Sequence, residues 1–127
     1  MRKKYQPTPA ETATLVVHLM TEYAREKGKA TTRARISQQT LRLISSRTHL
    51  RHRFKEDWSE AMELIGWLSI PVGDNFAIIQ MDTTDGWPRI GSKRIAETLK
   101  RVHRGDVSVI AEIEEALEDP AEGADDD

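Results

Sequence analysis

The sequence predicts a mostly helical α+β fold with one small β-hairpin, and three observations predict it. Apolar residues recur at spacings of three and four, most clearly at Leu50, Phe54, Trp58, Ala61 and Ile65. The periodic stretches are bounded by residues that start or stop helices. Two short β-rich runs, at 67–72 and 76–81, are parted by Gly73-Asp74-Asn75, which is a hairpin signal.

The first helix is expected over 8–27. Thr8 has the residue type of an N-cap, Pro9 sits at the first helical position, and Glu11 completes a capping box. Leu15, Leu19 and Tyr23 follow at four-residue spacing, with Val16, Met20 and Ala24 widening the apolar band, and Gly28 ends it. Residues 27–35 read as a basic linker. A short second helix starts at Ser37, with Ile36 and Leu41 placed as a hydrophobic staple, and runs out near Ser45-Ser46. Its apolar positions are Leu41, Ile44 and Leu43.

The third helix is expected over 48–66. Its core stripe is Leu50, Phe54, Trp58, Ala61 and Ile65; Arg51 and Met62 flank that stripe, while His52, Lys55 and Ser59 lie on the open side. Pro71 demotes the first strand of the hairpin to an edge or shortens it. Residues 82–91 read as a loop. Ser92 opens a fourth helix through residue 104, with Ile95, Leu99 and Val102 as its stripe. Asp106 opens a fifth, with Ile110, Ile113 and Leu117. The organisation expected is one domain over 1–104, a C-terminal helix over 105–119, and a disordered acidic tail over 120–127.

The totals exclude several classes of function. Among the 127 residues there is no cysteine, hence no disulfide framework, thiolate metal site or cysteine nucleophile. No apolar run approaches the roughly 20 residues of a membrane span. The basic start Met1-Arg-Lys-Lys is followed by Gln6-Pro-Thr-Pro instead of an apolar segment, so a cytoplasmic protein is expected. The net charge of −2 hides a strong segregation. All 19 Lys and Arg fall in residues 1–104 against 11 acids, a net of +8, and the other 10 acids fall in 105–127. Residues 25–55 alone carry ten bases against Glu26, a net of +9. That density exceeds a mixed solvated face and matches a phosphate-binding surface.

The order helix, short helix, turn, long helix, hairpin, helix resembles the winged helix-turn-helix. The local likeness covers 36–81: Ile36-Ser-Gln-Gln-Thr-Leu, the polar joint Ser46-Arg-Thr, and Ala61-Met-Glu-Leu-Ile-Gly-Trp-Leu stepping directly into the hairpin. The resemblance implies that the third helix enters the major groove of duplex DNA while the helix before it touches the backbone. Thr48, His49, Arg51, His52 and Lys55 are then the candidates for base edges, and Gln38 and Gln39 for phosphates or a base edge. Arg33, Arg35, Arg42 and Arg47 form the sequence-independent part of the surface. Arg89, Lys93 and Arg94 are second-site candidates; the hairpin tip, with Asp74 and no base, is not.

Catalysis is not expected. His49, His52 and Glu56 have a spacing that could share a helical face, but five nearby cations oppose a divalent ion and no further ligand is in place. No serine stands in a nucleophile elbow, no Gly-rich phosphate loop exists, and the acids are concentrated in the tail. No metal and no cofactor is expected. The function implied is a sequence-specific double-stranded-DNA-binding regulator, a repressor by analogy and a homodimer. The alternative is a winged-helix interaction module or accessory subunit that inhibits or recruits a nucleic-acid enzyme.

Overall fold

Thr8 and Glu11 start the first helix by local chemistry alone. In the computed structural model, which describes residues 4–118, the Thr8 hydroxyl accepts from the Glu11 N–H at 3.1 Å and the Glu11 carboxylate accepts from the Thr8 N–H at 2.9 Å. The elements then run α1 (Pro9–Lys27), β1 (Arg33–Ser37), α2 (Gln38–Ser45), α3 (His52–Leu64), β2 (Trp67–Val72), β3 (Asn75–Gln80), 3-10 turns at Met81–Gly86 and Lys93–Ile95, α4 (Ala96–His103) and α5 (Ser108–Leu117). The chain is thus mixed α and β, with one three-stranded antiparallel sheet in the order β1-β3-β2. It divides into two units, one through Trp87 and one from Pro88 onward, so α4 groups with α5 and the boundary falls earlier than residue 104. The acidic tail expected over 120–127 lies outside the described residues.

The Tyr5 hydroxyl donates to the Glu11 carboxylate at 2.6 Å. That bond first, and the Thr8 N–H second, hold the Glu11 carboxyl below its ordinary range. A depressed carboxyl stabilises the fold above its unfolded pKa and loses that contribution as pH falls through the folded value. In Tyr5→Phe the Glu11 carboxyl is expected to titrate at a higher pH than in the parent, read by NMR of its side chain. Coincident titration curves would remove Tyr5 as the cause.

The face that α1 buries differs from the expected one. Thr12, Ala13, Val16 and Met20 are buried, whereas Leu15, Leu19 and Tyr23 are 41%, 40% and 48% exposed. The apolar band of α1 is wider than one packing face, and α3 packs against it. The small side chains of Ala13 and Val16 let the helices approach closely, which turns the larger residues outward.

The linker expected over 27–35 contains the start of a strand. Arg33–Ser37 pairs antiparallel with β3, from Arg33 opposite Ile79 to Ser37 opposite Asn75. Ile36 is the one large apolar residue of that strand, buried on the sheet's inner face, so alternation in the sequence is too short to reveal it. The hairpin closes through the two residues Gly73 and Asp74, with Val72 opposite Asn75 and Gly73 at φ 60°, a conformation glycine adopts without strain. Pro71 sits in β2, an edge strand, as expected.

α3 begins at His52, later than the expected residue 48, because Arg51 holds an extended backbone (φ −67°, ψ 151°) as N-cap. Its buried face is Phe54, Trp58 and Met62, a four-residue stripe; Ile65 is 46% exposed. Trp58 meets Phe76 of β3 edge to face, with ring centroids 5.2 Å apart at 75°. Around this pair gather Ala13, Val16 and Met20 of α1, Ile36 of β1, Leu41 of α2, and Trp67 and Ile78 of the hairpin.

In the second unit Gly105 reverses the chain between α4 and α5 at φ 97°. Asp106 stands two residues before the first residue of α5, where its carboxylate meets Ser108. Its carboxylate accepts from the Ser108 hydroxyl at 2.6 Å and pairs with Arg101 at 3.0 Å, which together hold its carboxyl below the usual range. Val109 is the buried residue of α5; Ile110, Ile113 and Leu117 are exposed.

Candidate nucleic-acid interface

α2 is positioned from both ends. At its start the Ser37 hydroxyl accepts from the Thr40 N–H at 3.1 Å, and Leu41 and Ser45 turn inward. That leaves Gln39 exposed and Gln38 and Arg42 half-exposed. At its end Ser46 takes the left-handed conformation (φ 58°, ψ 40°) and turns the chain into the connection to α3. The Arg47 N–H closes the turn on the Arg42 carbonyl at 2.9 Å.

The Arg47 side chain points into this turn. Its Nη1 donates to the Pro7 carbonyl at 2.7 Å and to the Ser45 carbonyl at 2.9 Å, and its guanidinium lies 4.0 Å from the centre of the Phe54 ring. Gln6 adds a bond from Nε2 to the Ser46 carbonyl at 3.1 Å. The N-terminal segment is thereby tied to the α2–α3 connection. Arg47 acts there as a clasp, in place of the free phosphate ligand its charge suggested.

The clasp brings in Lys4, which lies outside the charge cluster of 25–55. Lys4 lines an open concavity of about 440 Å³ together with Gln39, Arg42, Arg47 and Thr48. A second concavity of about 270 Å³ shares Arg47 and Thr48 and adds His49 and Arg51. Among the described residues no carboxylate lines either one. A third, at the start of α2, is shared by Gln38, Gln39 and Arg42 with Asp74 of the hairpin tip. The Asp74 carbonyl accepts from the Gln38 N–H at 3.0 Å, so the tip abuts α2 and does not project beyond it. A phosphate at that end would meet an acid, in keeping with the tip's exclusion from the expected contacts.

Thr48, His49 and Arg51 stand on the connection before α3, and not on its first turn as expected. Thr48, His49 and Arg51 are exposed, while Leu50 anchors the segment against the core. His52 and Lys55 do lie on α3 and line a separate cleft between that helix and β2. Arg53, one of the ten clustered bases but absent from the expected contacts, shares their turn. His52 reaches Glu56 at 3.6 Å and Arg53 reaches Asp57 at 3.6 Å, exposed i,i+4 pairs that contribute little to stability. Beyond Lys55 the open face turns acidic, with Glu56, Asp57, Glu60 and Glu63.

Two groups stand apart. Arg33 and Arg35 alternate with Ala34 and buried Ile36 along β1, so their side chains leave from the outer face of the sheet, opposite the helices. The structure does not join them to the α2–α3 surface. Arg89, Lys93 and Arg94 belong to the second unit, all exposed, the last two in its 3-10 turn.

Among the described residues no group of three His, Asp or Glu side chains could hold a metal ion, and no helix is long and apolar enough to cross a membrane. Comparison of the chain with protein-family models, with curated proteins and with solved structures finds no match.

Proposed function

We propose that the first unit is a winged helix that binds duplex DNA through α2, the connection 46–51 and the start of α3, and that the protein is a sequence-specific regulator acting as a homodimer. The observation that carries this reading is the pair of adjoining concavities lined by Lys4, Arg42, Arg47, His49 and Arg51 with no opposing carboxylate among the described residues. The element order α1-β1-α2-α3-β2-β3, with strand order β1-β3-β2, supports the winged helix, since it is helix-turn-helix followed by a hairpin on one small sheet. In this geometry Lys4 and Arg42 meet phosphates, and Arg51 and His52, at the very start of α3, come nearest to base edges. The exposed α1 residues Leu15 and Leu19 form an apolar groove of about 450 Å³ with Leu43 and Ile44 of α2. That groove supports contact with protein, and His18 and Glu22 are its ionisable residues. A second copy presenting the same apolar groove across a two-fold axis is the occupant proposed.

Fluorescence anisotropy of labelled duplexes tests the reading. If about five phosphates are neutralised per protomer, the logarithm of affinity falls with that of salt at a slope of roughly −4 to −5. Arg42→Ala should weaken binding to all sequences alike. Arg51→Ala should cost about 1–3 kcal/mol and relax specificity at one position. A slope near zero, with the dimer intact by sedimentation, would reject DNA as ligand and leave the winged helix as a protein-interaction module.

A further inference from the structure

An antiparallel sheet with one face in water alternates apolar residues inward with polar residues outward. The sheet of the first unit departs from that pattern on the face turned away from the helices. Ile36, Phe76 and Ile78 are buried against the core, so the residues that alternate with them point outward. On β2 these are Leu68, Ile70 and Val72; on β3 they are Ala77 and Ile79, with Asn75 the one polar residue of the two strands on that side. Register sets Leu68 against Ile79 and Ile70 against Ala77, which joins them into two adjoining aliphatic rows. Ile70 and Val72 are exposed, and Leu68, Ala77 and Ile79 are half-buried.

The third strand borders these rows with charge. Arg33 stands directly opposite Ile79 and Arg35 opposite Ala77, on the same face. Both are exposed, and neither makes an ion pair among the described residues. No acid occurs in any of the three strands. An aliphatic face with one cationic border disfavours two kinds of occupant. It offers no aromatic ring on which a base stacks, and a nucleic acid on the arginines leaves the aliphatic rows uncovered. A second copy presenting the same face brings no acid to either arginine.

We propose that this face is a docking surface for an acidic amphipathic helix of another protein. A helix covers a sheet by laying its apolar stripe against the apolar face. Strands of six residues run about 20 Å, which a helix of about 14 residues spans. The stripe of that helix rests on the rows of β2 and β3, and its acidic border lies over β1. Residues two apart on one strand are separated by about 7 Å, and side chains one turn apart on a helix by about 5–6 Å. Two carboxylates at i and i+4 therefore reach Arg33 and Arg35, whose guanidinium forks suit carboxylates. The face is separate from the α2–α3 concavities, so the proposal stands whether or not the protein binds DNA.

Methyl NMR of the full chain tests the face, titrated with a synthetic helix of about 14 residues. The probe carries leucines at spacings of three and four and glutamates along one border of that stripe. Its control replaces every glutamate with lysine. Saturable movement of the Ile70, Val72 and Ile79 methyl signals is expected with the acidic probe, half-saturating below about 100 µM. The basic control should bind at least about tenfold more weakly. Arg33→Glu combined with Arg35→Glu, both at exposed positions, should exchange the two preferences, a result that non-specific apolar association does not give. No saturable movement, equal binding of the two probes, or an unchanged preference in the double variant would overturn the proposal. So would loss of self-association in that variant with no probe present, which would assign the face to a second copy.

Discussion

Trp58→Ala is expected to destabilise the first unit by about 3–5 kcal/mol, the range for removing a fully buried large aromatic side chain. Trp58 lies midway along α3 with 1% of its surface exposed, edge-on to Phe76 across the sheet. Its neighbours come from α1, from β1 and from both strands of the hairpin, so they cannot all close on the space that the ring leaves. Domains of this size have stabilities of about 5–15 kcal/mol, and 1 kcal/mol shifts Tm by roughly 4–8 °C. The variant should therefore melt some tens of degrees below the parent or fail to fold at room temperature. Trp58→Phe should cost much less, since the indole N–H has no partner to lose and only part of the volume is removed. Leu64→Ala, at a position 87% exposed on the same helix, is the control and should leave Tm within a degree or two. A comparable loss in Leu64→Ala and Trp58→Ala would overturn the face assigned to α3.

Phe54 and Trp58 of that face were legible from their helical spacing, but its last residue was not: spacings of three and four both fit, the sequence favoured Ala61 and Ile65 over Met62, and packing buries Met62 and leaves Ile65 46% exposed. The start of α1 was legible for a similar reason: Thr8, Pro9 and Glu11 act within one turn and need no partner from elsewhere. The inward side of α1 was not, because Leu15-Leu19-Tyr23 and Ala13-Val16-Met20 both follow helical spacing. Only the closeness of α3 chooses between them. β1 was hidden for a different reason. Its one large inward residue, Ile36, follows two arginines that read as linker, and the strand forms because β3 offers a free edge about forty residues later. The candidate surface shows the same limit. Charge density marked the region 25–55, but not that Arg33 and Arg35 leave from the outer sheet face, nor that Lys4 joins Arg42 across a fold in the chain.

Arg47 separates what charge suggests from what geometry assigns, and Arg47→Ala is the second variant with a large expected effect. Two backbone carbonyls, those of Pro7 and Ser45, accept from its Nη1, and the guanidinium stacks at 4.0 Å over Phe54, itself part of the core. Hydrogen bonds from a charged donor contribute about 1.5–3 kcal/mol, and a cation over a ring about 0.5–1 kcal/mol. These terms overlap, and the side chain is only half-buried, so about 2–3 kcal/mol is the expected loss of stability. The N-terminal segment should detach with it, since Gln6 alone would hold that segment to the turn. DNA affinity should then fall by more than one lost charge explains, because Lys4 leaves the concavity that it shares with Arg42. Arg47→Lys discriminates the two roles. An ammonium keeps the charge but cannot lie flat on the Phe54 ring while bonding both carbonyls, so Lys should restore little of the lost Tm. If Arg47 acted chiefly as a phosphate ligand, Tm would be unchanged in both variants, Arg47→Ala would lose affinity, and Lys would recover most of it. Thermal melts and anisotropy titrations on the same three proteins distinguish these outcomes, and an unchanged Tm in Arg47→Ala would refute the clasp.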